Sequence, residues 1–146
     1  MISHIVLTRA PLARALATLE EPWRSLAAVP AASDGTAGAC LDFYGMVRGR
    51  EPETAGGSES PIVALEYEAH EEMARHQMEK ILLRLAEKYP LQAALVIHRL
   101  GRVNVGEASL LVRLTSPHRE EALRACAEFV DELKKWVPIW KQAVRG

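Results

Sequence analysis

Leu133-Lys134-Lys135-Trp136-Val137-Pro138-Ile139-Trp140-Lys141 is the stretch on which the reading of this chain turns. Proline at 138 cannot continue a helix, because it has no N–H and its ring collides with the preceding turn. The residue before it is driven towards extended geometry. The spacing therefore predicts a helix that ends near Trp136, followed by an extended piece that carries Ile139, Trp140 and Lys141 back over the body. Two lysines, Lys134 and Lys141, then flank an apolar segment at fixed relative positions. No acid occurs from Leu133 to Gly146, so neither lysine has a partner nearby in sequence. A buried or half-buried cluster of cations calls for an anion, and the ligand is expected here.

Working back from that stretch, Leu123, Cys126, Val130, Leu133 and Val137 recur at helical spacing and predict a buried stripe. Ser116 is a candidate N-cap, with Pro117 at the favoured first position and Glu120 and Glu121 in the first turn. Before it, Ala93 to Arg99 and Glu107 to Thr115 read as strands around a glycine-containing turn, Leu100 to Gly106. A helix is predicted from Glu71 to about Tyr89, with a stripe of Met73, Met78, Ile81, Leu82 and Leu85, stopped by Pro90. Ile62 to Glu68, Ala39 to Arg48 and Ser3 to Thr8 complete the strands, and Pro11 to Leu26 the helices. Pro30 to Gly38 reads as a loop, and Gly49 to Ser60, rich in Gly, Glu and Ser, as a mobile surface loop. This is an α+β pattern of roughly five strands and three helices.

Length and composition fit one domain over residues 1–146, with 49% apolar and 25% charged residues. A net charge of -1 argues against general nucleic-acid or membrane-surface binding, so anion recognition has to be local. Cys40 and Cys126 make no disulfide framework, and Cys126 lies on an apolar stripe. Arg9, Arg14 and Glu20 interrupt any signal-peptide core, and no apolar run could span a bilayer, so a cytoplasmic protein is expected.

Several cations are candidates for the anion site. His118 and Arg119 fall in the first turn of the last helix, where free N–H groups favour an anion and a guanidinium adds a planar fork. Solvated surface residues are the competing reading. Arg48 ends a strand just before the 49–60 loop, and His98 with Arg99 ends another; His98 reads as a hydrogen-bonded structural histidine. His70 and His76 have no metal-like companions. No spacing suggests zinc, a nucleotide loop or a Ser/His/Asp triad. His118 and Lys134 are 16 positions apart on one helix, roughly 24 Å at its rise per residue. A small ligand cannot touch both within one chain, so a homodimer with composite sites is expected.

In order along the chain stand Phe43-x-Gly45-x-Val47-Arg48, Leu65-Glu66-Tyr67-Glu68-Ala69 with Met73-Ala74, and Ile97-His98-Arg99-x-Gly101 with Gly106-Glu107. Ser116-x-His118-Arg119 follows, then Asp131-x-Leu133-Lys134 and Val137-Pro138-Ile139-Trp140-Lys141. Together, over about Gly38 to Lys141, these resemble the catalytic (large) subunit family of molybdopterin synthase. The resemblance implies an α/β-hammerhead-like single domain with a mixed, mainly antiparallel sheet. It implies a homodimer with a small ubiquitin-like sulfur-carrier subunit on each copy, giving a heterotetramer. The carrier's C-terminal Gly-Gly thiocarboxylate would transfer two sulfurs in turn to cyclic pyranopterin monophosphate, with no metal or cofactor needed.

By the same resemblance, Lys134 and Lys141 are the catalytic residues. Met46, Val47, Arg48, His118, Arg119, Lys134, Lys141, Gln142 and Ala143 would line the substrate pocket, with Phe43 supporting it. Arg48, with the partner copy's His118 and Arg119, suits phosphate and pterin anchoring. A lysine perturbed by burial or by a neighbouring cation suits the proton transfers. The chain departs from the family pattern after Lys141, where Gln142 and Ala143 replace a basic residue and a glutamate. Two other readings stay open: a non-catalytic dimeric paralogue that binds a phosphorylated small molecule, or a scaffold for a ubiquitin-like partner.

Overall fold

The computed structural model describes residues 1–21, 23–24, 35–50 and 60–146. In chain order the elements are β1 (Ile2–Thr8), α1 (Leu12–Thr18), β2 (Ala39–Met46), β3 (Ile62–Ala69) and α2 (Glu71–Lys88). They continue with β4 (Ala93–Arg99), β5 (Gly101–Asn104), β6 (Ala108–Ser116), α3 (Arg119–Trp136) and β7 (Ile139–Arg145). The α+β class holds, with three helices among the described residues. The strands number seven among those residues and form two sheets, where about five strands in one sheet were expected. The first helix ends at Thr18, where Leu19 turns extended at φ -65, ψ 141, well short of the expected Leu26. Leu26 itself, most of the 49–60 loop and part of the 30–38 loop lie outside the described residues.

The first sheet has the order β1-β4-β6-β2, with β1 parallel to β4 and the other pairs antiparallel. Every residue of β4 is buried, the mark of a strand covered on both faces. On one face Ala94, Val96, Leu110, Val112 and Leu114 pack against α2 and α3, with Met78, Ile81 and Phe129 fully enclosed. On the other, Leu95, Ile97 and Leu111 pack against Leu12 and Ala15 of α1. Alternation along β4 and β6 thus feeds two separate cores.

The second sheet, β5-β3-β7, is wholly antiparallel and covers a smaller core of Val47, Ile62, Leu65 and Val103. The chain crosses from the first sheet to the second between Arg99 and Gly101. Gly101 sits at φ +78, left-handed geometry that a side chain would oppose, and this lets β5 begin immediately. The expected turn at Leu100 to Gly106 is therefore a four-residue strand followed by a tight turn, in which Glu107 N–H donates to the Asn104 carbonyl at 3.0 Å.

Two stripe residues differ from expectation. Met73 and Leu123 are exposed, and the inward positions are taken by Ala74, Ala122, Ala125 and Phe129. Small residues let the helices approach the sheet, which the larger-residue pattern obscured. Ser116 does not cap α3. It ends β6, its hydroxyl donates to the His118 carbonyl at 2.6 Å, and His118 holds the N-cap position without a side-chain cap bond. At the far end α3 stops at Trp136, and Val137 at φ -84, ψ 129 turns the chain into β7, as Pro138 demands.

Candidate active site

The proline break places the lysines. Lys134 lies in the last turn of α3, and Lys141 lies on β7 opposite Tyr67 of β3. Both line one cavity of about 640 Å³, which lies between the end of α3, the second sheet and the edge strand β2. Phe43, Met46 and Arg48 reach the same cavity from β2 and the residues after it. In Lys134, Lys141 and Arg48 three cationic side chains converge on one space.

Both lysines are exposed, against the expectation of a buried or half-buried pair. Arg48 and Lys141 each have a polar or electrostatic partner, so the notion of cations without partners does not hold for them. Val47 is buried in the small core and its backbone joins Glu107 and Gly106, so its side chain supports the cavity wall from behind. Gln142 and Ala143 continue β7, paired with Glu66 and Leu65, and do not line the cavity.

His118 and Arg119 are also outside it. They stand exposed at the start of α3, with His118 Nδ1 3.6 Å from Glu121 Oε1. Most of the length of α3, roughly 24 Å from His118, separates them from Lys134. Within one chain the structure does not bring these two groups together.

The cavity also has a polar wall built from the sheets. His98, only 4% exposed, places Nδ1 2.7 Å from the Arg99 carbonyl oxygen. Its ring meets that of Tyr67 edge-to-face at 5.2 Å. The Tyr67 hydroxyl donates to Ser109 Oγ at 3.3 Å, and Ser109 donates in turn to the Gly45 carbonyl at 3.4 Å. Burial holds the His98 imidazole below its ordinary value, with the Arg99 hydrogen bond opposing. At the rim, Trp140 Nε1 donates to Glu68 Oε2 at 3.1 Å and fixes the indole beside Lys141.

A sequence profile of the MoaE protein matches residues 19–136. The chain belongs to the MoaE family. A molybdopterin synthase catalytic subunit from Pyrococcus abyssi is 39% identical over 117 residues, covering 80% of this chain and 75% of that one. The crystal structure of molybdopterin synthase from Staphylococcus aureus superposes with a TM-score of 0.70 at 28% identity, over 97% of this chain and 90% of that one. The same fold occurs in a complex of subunits 1 and 2 of molybdopterin-converting factor from Helicobacter pylori, at TM-score 0.66 and 22% identity, covering 99% of this chain and 86% of that one.

Tyr67, His98, Ser109 and Trp140 line the cavity without having been expected as site residues. His98 carried a signal: it is a polar residue in the mainly apolar, wholly buried strand β4. The thiols lie elsewhere. Cys126 is buried in the main core, and that burial pushes it up to about 11, so it is an inert packing group. Among the described residues no cluster of His, Cys, Asp and Glu could hold a metal, and no helix is long and apolar enough to cross a membrane.

Proposed function

We propose that this chain is the catalytic subunit of a molybdopterin synthase. It moves two sulfurs, one from each of two small ubiquitin-like carriers whose thiocarboxylated C-termini bind in succession, onto cyclic pyranopterin monophosphate. The observation that carries the reading is the convergence of Lys134, Lys141 and Arg48 on one cavity. Both reactants are anionic, so such a space attracts each and offsets their mutual repulsion. Each acyl–sulfur bond is cleaved by water as the sulfur leaves, and the carrier ends as a carboxylate.

Lys134 and Lys141 are the residues assigned to proton transfer. Their ammonium groups line the cavity in which the two anionic reactants meet, so each can give a proton to a reacting atom there. Arg48 anchors the phosphate through its planar fork. His118 and Arg119 serve the cavity of a second copy, because the length of α3 removes them from their own. The assembly is thus a homodimer carrying one carrier per copy, a heterotetramer. The subunit 1 and 2 complex from Helicobacter pylori supports a partner subunit on this fold. A cytoplasmic location fits the reduced thiols.

The decisive experiment mixes the protein with thiocarboxylated carrier and cyclic pyranopterin monophosphate and looks for the fluorescent oxidised product. Product formation is expected. Tight carrier binding without product would replace the enzyme with a scaffold.

A further inference from the structure

The three cations of the cavity share one chemical limit. Lysine ammonium and arginine guanidinium groups only donate hydrogen bonds, and so does the indole of Trp140. Phe43, Met46 and the aliphatic residues of the wall offer no polar atoms. The Tyr67 and Ser109 hydroxyls are engaged with each other and with the Gly45 carbonyl. A ligand that brings N–H groups as well as anionic oxygens therefore needs an acceptor that the cations, the indole and the apolar wall do not supply.

His98 supplies it. A carbonyl oxygen only accepts, so the 2.7 Å contact with Arg99 places the ring proton on Nδ1. The neutral ring then leaves Nε2 as a bare acceptor. The side chain is more than nine-tenths buried, yet it lines the cavity. With Nδ1 turned to the Arg99 carbonyl, Nε2 is the ring nitrogen left for the cavity. The edge contact with Tyr67 and the bond to Arg99 hold the ring on two sides, so this acceptor is pre-oriented.

We infer that His98 is a substrate-positioning residue, whose Nε2 accepts a hydrogen bond from an N–H on the uncharged heterocyclic part of the ligand while the cations hold its phosphate. The inference rests on the pterin reading above and deepens it: the cations select the charged end, and His98 selects the ring and fixes its register. A phosphorylated ligand without ring N–H donors has nothing for His98 to accept.

Two substitutions separate this role from a structural one. His98→Asn keeps an amide N–H at the place of Nδ1, so the bond to Arg99 survives, but nothing reaches the position of Nε2. His98→Gln puts a carbonyl oxygen near Nε2. Affinity for cyclic pyranopterin monophosphate, read by calorimetry alongside inorganic phosphate as a probe of the cations alone, is compared in the three proteins. H98N is expected to bind the pterin about tenfold more weakly, the loss of one hydrogen bond, with phosphate affinity and thermal midpoint unchanged. H98Q recovers most of the affinity. Equal pterin affinity in wild type and H98N, with wild type active, overturns the inference and leaves the synthase reading intact. Equal loss of pterin and phosphate affinity in H98N also overturns it, since a structural role then suffices. Wild type that binds phosphate but no pterin overturns both.

Discussion

Lys141 lies directly opposite Tyr67 across the antiparallel ladder of β3 and β7, and both side chains line the cavity that Lys134 enters from the end of α3. The ladder fixes the strand-borne lysine relative to the polar wall of His98, Tyr67 and Ser109. Pro138, between the two lysines, is what converts the direction of a helix into that of a strand. The pair of cations is thus held by two elements of different kind, with Leu133 of α3 and Ile139 of β7 packed into the same main core.

Lys134→Ala and Lys141→Ala are each expected to reduce product formation by roughly 10²–10⁴-fold, the usual range for losing a proton-transfer group. Both side chains are exposed, so the thermal midpoint should stay close to that of wild type. Turnover near the wild-type rate in both variants refutes the assignment.

Composite sites make a quantitative claim. His118→Ala and Lys134→Ala proteins, each inactive alone, should recover about a quarter of wild-type activity when unfolded and refolded together. Half of the random dimers are then mixed, and each mixed dimer has one intact site of two. A mixture as inactive as its components means that both residues serve the same chain's site. Sedimentation should find a dimer in all three preparations.

Stability should depend on pH in two ranges. Burial lowers the His98 value below 6.5, so the unfolded chain takes up its proton before the folded one does. Stability is full above pH 6.5 and falls as the pH drops below it towards the lowered folded value. Glu107, held below 4.5 chiefly by its hydrogen bond from Arg99 at 2.7 Å, adds stability that is present above 4.5 and lost as the pH falls further. Urea midpoints measured against pH test both. His98→Asn should flatten the upper range and Glu107→Gln the lower.

Phe129 is fully enclosed between α3 and the first sheet, whereas Leu123 on the same helix is 53% exposed. Phe129→Ala is expected to cost about 3–5 kcal/mol in urea unfolding. Leu123→Ala should stay within about 0.5 kcal/mol of wild type. Equal costs would restore the stripe that the apolar spacing of α3 suggested.

That contrast explains where the sequence was legible. Pro138 ended α3 where expected because the constraint is covalent and local. β4 and β6 were readable because buried apolar strands are continuous runs. The α3 stripe was misread at Leu123, while Cys126, Leu133 and Val137 are buried as expected; Ala122 and Ala125 are small enough to lie under the sheet, which no hydrophobicity pattern distinguishes from an exposed alanine. β5 was taken for a turn since four residues, two of them polar, gain their strand character only from pairing with β3. Ser116 reads as a cap in isolation, but pairing with Ala39 extends β6 through it.

By itself the sequence determined the α+β class, the break between Lys134 and Lys141, the distance that separates His118 from Lys134, and the family. These follow from chain geometry and residue chemistry acting over a few turns. Only the tertiary structure decided that seven strands divide into two sheets and that the two lysines are exposed. It also decided that His98, buried in β4, lines the same cavity. Those outcomes depend on which surfaces remain uncovered after distant strands pair, a property of the packed chain that no local stretch carries.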